Sequence, residues 1–195
     1  MDEKIVSSIS SQAVPQQVAG TVTIRPMIAQ DVERVHLIDT LSFNMPWPAS
    51  SYRYELFENS AALLHVAEII DEQEIKVIVG MIVTWLIVDE AHIATIAVHP
   101  NYRRLGIGRK LLTASLTEVI QRGAKLATLE VRQGNQAASN LYTQFGFVIE
   151  GRRPRYYHDT HEDAIIMTVT GLDQEYLSRI TELEKNQILI RGGHV

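Results

Sequence analysis

The alternation of apolar and polar positions starts at Thr21-Val22-Thr23-Ile24-Arg25, a short strand that Pro26 ends. Asp31 is placed to cap a helix in which Val32, Val35, His36, Ile38, Asp39 and Leu41 keep a helical spacing. Phe43-Asn44-Met45-Pro46-Trp47-Pro48 then forms a stiff, apolar, non-helical loop, because proline fixes φ and removes a donor. Ser50 or Ser51 is expected to cap a second helix through Tyr54, Leu56 and Phe57. Two long β-type runs follow, Leu63 to Ile70 and Ile75 to Val88, with Asp71-Glu72-Gln73-Glu74 between them as a hairpin loop. Gly80 inside the second run marks a bulge or a close approach. Asp89-Glu90 turns the chain into a fourth strand, Ala91 to Val98.

Beyond that strand the period changes. Apolar residues at Ile107, Leu111, Leu112, Leu116, Val119 and Ile120 predict a helix over Gly108 to Gln121, with Gly123 as its stop. Leu126 to Arg132 is a strand, Asn135 begins a helix through Leu141 and Phe145, and Gly146 stops it. Phe147 to Glu150 is a strand that continues past Pro154 to Tyr157, His158-Asp159-Thr160-His161 is a polar turn, and Ala164 to Thr170 closes the sheet. A meander followed by βαβ units implies a mixed α/β sheet with helices on its faces. Residues 21–171 thus make the domain. Residues 1–20, rich in Ser, Gln and Val without a period, read as a flexible arm able to order on a partner. In residues 172–195, Tyr176, Leu177, Ile180 and Leu183 predict a short amphipathic helix packed on the body or on a neighbouring subunit.

The junction between the halves carries the first chemistry. Strand Ile93 to Val98 runs through His99-Pro100 into Arg103-Arg104-Leu105-Gly106-Ile107-Gly108, which opens the long helix. A helix N-terminus presents unpaired N–H groups and a positive dipole end, which suits a phosphate. Gly106 and Gly108 lack the Cβ that would hold a phosphate away, and Arg103, Arg104, Arg109 and Lys110 add charge. The spacing is neither a dinucleotide fingerprint, since Leu111 stands where a third glycine would, nor a P-loop.

Composition narrows the picture. The 195 residues are 46% apolar and 21% charged, ordinary for a globular domain, and contain no run long enough for a membrane span. No basic region feeds a long apolar one at Met1-Asp2-Glu3-Lys4, so a signal peptide is not expected. The absence of cysteine excludes disulfides and thiolate catalysis and fits a cytoplasmic protein. A net charge of −5 disfavours general nucleic-acid binding and would attract a basic partner.

Two further segments hold candidate catalytic residues. In Leu126 to Arg132, Ala127, Leu129 and Val131 share one face, and Thr128, Glu130 and Arg132 the other. A carboxylate in a strand otherwise fit for burial is costly unless paired or protonated, so Glu130 is either a base or half of a Glu–Arg pair at the sheet end. On the next helix Asn135 and Tyr142 are seven apart and return to one face, with the small Ala138 between them.

Together these segments resemble the GNAT N-acetyltransferase family. The turn reads R-R-L-G-I-G, the strand L-E-V-R, the helix N-Q-A-A-S-N-L-Y-T-Q-F-G-F and the closing segment R-Y-Y-H-D-T-H-E-D-A-I-I-M. The match covers Val22 to Val169 and is nearest to the bacterial RimI group, which acetylates the N-terminal alanine of small ribosomal subunit protein 18. The resemblance implies a mixed sheet of about six to seven strands with about four flanking helices, plus the C-terminal helix. It implies acetyl-CoA as co-substrate, held by Arg103, Arg104, Leu105, Gly106, Ile107, Gly108 and Arg109, with Asn135 touching the cofactor. Thr95, Ile96, Ala97 and Val98 would offer backbone groups to the pantetheine arm and thioester. Glu130 would be the general base and Tyr142 the acid that protonates the CoA thiolate, while Phe43, Trp47, Tyr156 and Tyr157 match aromatics of a peptide pocket.

The implied partner is the N-terminus of a basic protein, ribosomal protein 18 first, with the enzyme a monomer or homodimer. Asp159, Glu162 and Asp163 would attract a cationic peptide. Rival readings are a small-amine acetyltransferase and a non-catalytic acyl-CoA-binding module. No metal is expected, since His158, His161, Glu162 and Asp163 lie in a turn without a zinc spacing.

Overall fold

The structure, a computed structural model, describes residues 21–70 and 75–192. The N-terminal arm and the hairpin loop at 71–74 lie outside the described residues. The elements are β1 (Thr23–Pro26), α1 (Val32–Ser42), α2 (Ala49–Phe57), β2 (Ala62–Ile70), β3 (Lys76–Ile87), β4 (Glu90–Val98), α3 (Ile107–Gln121), β5 (Leu126–Arg132), α4 (Gln136–Gln144), β6 (Val148–Tyr157), β7 (Glu162–Thr170) and α5 (Gln174–Gly192). The seven strands form one sheet in the order β1-β2-β3-β4-β5-β7-β6. Only β4 and β5 pair in parallel, and the other described pairs are antiparallel. Among the described residues no helix is long and apolar enough to cross a membrane.

Each face of the sheet has its own core. One buries α3 by Ile107, Leu111, Leu112, Leu116 and Val119, the stripe that the spacing predicts, together with Phe145, Phe147, Tyr176 and Ile180. Full burial of such side chains contributes about 1.5–3 kcal/mol each. α5 joins this core, and its Tyr176 hydroxyl donates to the Phe145 carbonyl at 2.8 Å. Gly80 is a close approach. A Cβ there would sit 3.0 Å from Leu111 and 3.2 Å from Ile107, so its absence lets α3 lie down on β3. The other face carries α1 and α2, with Val32, Val35, Ile38, Tyr52, Met81 and Val83 buried.

Two local expectations are corrected on that second face. Asp31 is not the cap of α1, because its carboxylate takes the Ile28 amide and the Arg25 guanidinium instead. α2 begins at Ala49 after Pro48, with no serine cap. α2 buries Tyr52 and Glu55 and leaves Tyr54 and Phe57 58% and 65% exposed. Pro154 does not interrupt β6. It sits on the sheet edge inside a wide bulge between Arg153 and Tyr157, where a missing N–H breaks no ladder.

Candidate active site

The site begins where two neighbouring strands part. β4 and β5 pair from Glu90↔Leu126 to Ile93↔Leu129 and then stop. β4 runs on beside β3 to Gly80↔Val98, and β5 runs on beside β7 to Arg132↔Ala164. A bulge at Ala94, between Val83↔Thr95 and Thr84↔Ile93, bends β4 at the point of separation. Thr95, Ile96, Ala97 and Val98 therefore have no strand partner toward β5 among the described residues. The sheet is split from this point, and both of its faces open onto the split.

Past the split, β4 feeds the turn into α3. Arg104 and Gly106 both take left-handed backbone, with φ of 67° and 83°. Consecutive N–H groups around such residues form a concave anion cradle, and the first-turn amides of α3 add to it. A Cβ at Gly106 would meet nothing within 4 Å, so the space above the turn is open. The charged side chains of the turn do not all face it. Arg103 donates to the Val98 carbonyl at 3.0 Å and to Ser42 Oγ at 3.1 Å, which ties the turn to α1. Arg109 is buried, with its guanidinium on Gln144 and over the Phe145 ring. With the Arg103 and Arg109 side chains so engaged, the turn offers an anion its backbone N–H groups beside the exposed Arg104. Asn135 caps α4, its side-chain oxygen accepting from the Ala138 amide while its backbone N–H donates to the Arg132 carbonyl, which leaves its side-chain NH2 for a ligand.

Glu130 projects from β5 on the α1/α2 side of the split. It pairs neither with Arg132 nor with an apolar wall: His92 Nε2 lies 3.3 Å from one oxygen and the Arg153 guanidinium 3.1 Å from the other. His92 stacks on Trp85, with rings 5.5 Å apart and 20° between planes. Trp85 stacks on Trp47, and Trp47 leans on Tyr52. An aromatic ladder thus leads from the α1–α2 loop to the carboxylate. Phe43 packs partly buried in the same cluster. The loop that carries Trp47 is held at both ends of that residue: Asp39 accepts its amide at 2.5 Å, and His36 Nδ1 meets its carbonyl at 2.9 Å. Burial pushes the Asp39 carboxyl above its ordinary range.

Tyr142 approaches from the opposite face, buried on α4 with its ring 5.8 Å from Phe147. Burial first, then the proximity of Tyr157, push its phenol well above the ordinary tyrosine value. Tyr157 lies near enough to Glu130 to feel its charge. Burial raises it to about 12 against the pull of Arg132, and Glu130 adds to the rise. The Arg132 guanidinium lies 3.9 Å over the Tyr157 ring, and Tyr156 meets Tyr157 edge-on at 5.2 Å.

The acids after the tyrosine pair are spoken for. Asp159 takes both Arg132 and Asn44, Glu162 reaches Arg132 and the Gly134 amide, and Asp163 holds Arg152 and the Arg155 amide. They tie the β6–β7 hairpin to itself, to β5 and to the α1–α2 loop, and are not an open lure for a cationic peptide. No cluster of three metal-type side chains occurs among the described residues.

Sequence reasoning overlooked His92, Trp85, Asp39 and Glu55, and the contact of Arg153 with Glu130. The first pair had a signal. The two-residue turn Val88-Asp89 makes Ile87↔Glu90 the closing pair, and counting back sets Trp85 opposite His92. Arg153 had none, because it reaches Glu130 across β7.

The family model described as "Acetyltransferase (GNAT) family" matches residues 32–147. A relative from Bacillus subtilis, a putative [ribosomal protein bS18]-alanine N-acetyltransferase, is 35% identical over 75% of this chain and 94% of its own length. The crystal structure of the Escherichia coli ribosomal-protein alanine N-acetyltransferase is similar with a TM-score of 0.67 at 30% identity, covering 77% of this chain and 94% of that one. Ard1 from Thermoplasma volcanium gives a TM-score of 0.66 at 28% identity, over 76% of this chain and 97% of that one.

Proposed function

The chain belongs to the GNAT family of acetyltransferases and is an N-acetyltransferase that uses acetyl-CoA, and from that premise we propose that its acceptor is the free α-amino group of a protein N-terminus, ribosomal protein bS18 first. The observation that carries the reading is the split between β4 and β5. It opens the sheet between Glu130, which projects from one face, and Tyr142, which is buried on the other.

The chemistry follows from the residues. An α-ammonium, of pKa about 8, must lose a proton before it attacks a thioester. Glu130 accepts that proton, directly or through water. The backbone of Thr95 to Val98, unpaired on its β5 side, aligns the pantetheine arm and supplies N–H groups to the developing oxyanion. Tyr142 keeps its proton at neutral pH, because burial disfavours the phenolate, and gives it to the departing thiolate. The Arg103–Arg109 turn fits a pyrophosphate through its N–H groups and open glycines, with Arg109 contributing backbone while its side chain holds α4. Phe43, Trp47, Tyr156 and Tyr157 line the acceptor side.

The ribosomal acceptor is supported by the names of the relatives from B. subtilis and E. coli. A ribosomal acceptor implies an enzyme that works beside the translation machinery, in the cytoplasm. The acceptor is tested by offering acetyl-CoA with peptides varied at their first residue, beside spermidine, an aminoglycoside and a blocked peptide with a free lysine. Acetylation confined to unblocked peptides with Ala, Ser or another small first residue is the expected result. Preference for the small amines or for the lysine overturns it.

A further inference from the structure

Glu55 is a carboxylate where a helix of this kind would bury an apolar side chain. It faces inward from α2 with 7% of its surface exposed. A buried carboxylate is tolerated when donors converge on it, and two do. Trp85 Nε1 donates to Glu55 Oε2 at 2.8 Å, and Asn59 Nδ2 to the same oxygen at 2.7 Å. Asn59 is itself fixed, since its side-chain oxygen takes the Ala61 amide at 3.0 Å. The indole of Trp85 is thereby set in both position and rotation.

That rotation matters one contact further on. The His92 ring lies nearly flat on the indole, and its Nε2 is 3.3 Å from Glu130 Oε2. A ring stacked at 20° reaches the carboxylate from one direction only. The other neighbour of Glu130, Arg153, has a side chain 55% exposed and comes from an edge strand, so it constrains the carboxylate less. Resting on the reading of Glu130 as the base, we propose that Glu55 is a positioning residue for acetyl transfer: its buried carboxylate fixes the Trp85 indole, and through it the His92 ring against Glu130. His92 holds the carboxylate in the rotamer that faces the split, and the aromatic ladder is part of the proton-accepting apparatus as well as a wall.

A purely structural Glu55 would alter stability alone. The discriminating readout is the pH profile of kcat/KM beside the melting temperature and the KM for acetyl-CoA. The charged and titratable groups around the pair are Glu55 from α2, His92 from β4, Glu130 from β5, and Arg153 and Tyr157 from β6. Glu55→Leu and Trp85→Phe should each lower kcat/KM for the peptide by about ten- to a hundredfold, the scale of a misplaced catalytic group. They should also move the acidic limb of the profile while leaving the KM for acetyl-CoA unchanged. Glu55→Gln, which keeps an oxygen for the indole N–H, should restore most of the rate. His92→Phe, which keeps the stack but loses Nε2, should reproduce the shifted limb.

If Glu55→Leu fails to fold, Trp85→Phe and His92→Phe read the same question. An unmoved acidic limb in those variants, with only the melting temperature lowered, overturns the proposal while Glu130→Gln remains inactive. Near-normal turnover of Glu130→Gln overturns the base assignment itself, and with it the purpose of the ladder.

Discussion

The two sides of the split sheet are built from different materials. The turn into α3 is made of backbone: left-handed Arg104 and Gly106, first-turn amides, and arginines that brace the turn, Arg103 on Val98 and Ser42, Arg109 on Gln144. The acceptor side is made of side chains, from Tyr52 through Trp47, Trp85 and His92 to Glu130, held by buried Asp39 and Glu55. Backbone recognition suits a ligand that never changes, because almost any side chain supplies the same N–H. A side-chain wall suits a group that differs between relatives, because single substitutions reshape it. Mutations on the two sides should therefore fail in different ways.

The largest effect belongs to the pair that faces across the split. Glu130→Gln and Tyr142→Phe should each reduce turnover by roughly 10²–10⁴-fold, as for a general base or acid, with acetyl-CoA binding retained by calorimetry. The Glu130→Gln defect should shrink as pH rises and the amine loses its proton unaided, whereas a defect constant with pH would remove the base role.

Next comes the turn. Gly108→Val should weaken acetyl-CoA by about ten- to a hundredfold, the value of a charge-assisted hydrogen bond or two. A Cβ at Gly108 meets only Leu141 at 3.5 Å and Val98 at 3.9 Å, so the fold should survive. Arg109→Met is the counterpart: a melting temperature lowered by a few degrees and an acetyl-CoA affinity within about threefold of normal, since each kcal/mol is worth ~2–4 °C in a domain of this size. If the Arg109 variant loses affinity and keeps stability, the division between backbone and side chain fails.

On the acceptor side, Asp39→Ala removes the carboxylate that holds the Trp47 amide and should cost about 1–3 kcal/mol of stability. Its kinetic mark should be a raised KM for the peptide with that for acetyl-CoA unmoved. Equal changes in both would show that the loop does not belong to one side.

The smallest effect lies away from both. His65 on β2 is buried against Glu118 of α3, Nε2 to Oε2 at 2.8 Å. Burial lowers its proton affinity, with Glu118 opposing. A depressed value in the folded state means stability present above the ordinary histidine range and lost as pH falls through the folded value. His65→Gln should therefore flatten the fall in melting temperature between about pH 7 and 5, with no change in either KM.

Period-driven features were legible from the sequence: all seven strands, the stripe of α3 and the cap at Asn135. Features set by rotation were not. The helix through Tyr54, Leu56 and Phe57 was legible, but not that Tyr52 and Glu55 point inward, because nine residues make too short a helix for composition to fix its angle. Partners that come together only through sheet order were equally hidden. Arg132 seemed the natural mate of Glu130 two residues away, but it turns to Asp159 and Tyr157 while Arg153 arrives from beyond β7. The acids after Tyr157 misled for the same reason, since their cations sit on neighbouring strands.

The bulged β6 has a consequence for the protein in a crowded cell. It is one outer strand of the sheet, and an outer strand with free backbone groups invites another chain to extend the sheet and seed a fibril. Val148 and Ile149, 60% and 68% exposed, would favour such recruitment. The next turn of sequence prevents it: Arg152, Arg153 and Arg155 carry like charge, Pro154 has no N–H to give, and the break in register between Arg153 and Tyr157 leaves an incoming strand no straight edge to follow. The outer strand at the far side, β1, is only four residues long. The irregularity that displaces Tyr156 and Tyr157 thus also guards the sheet against aggregation.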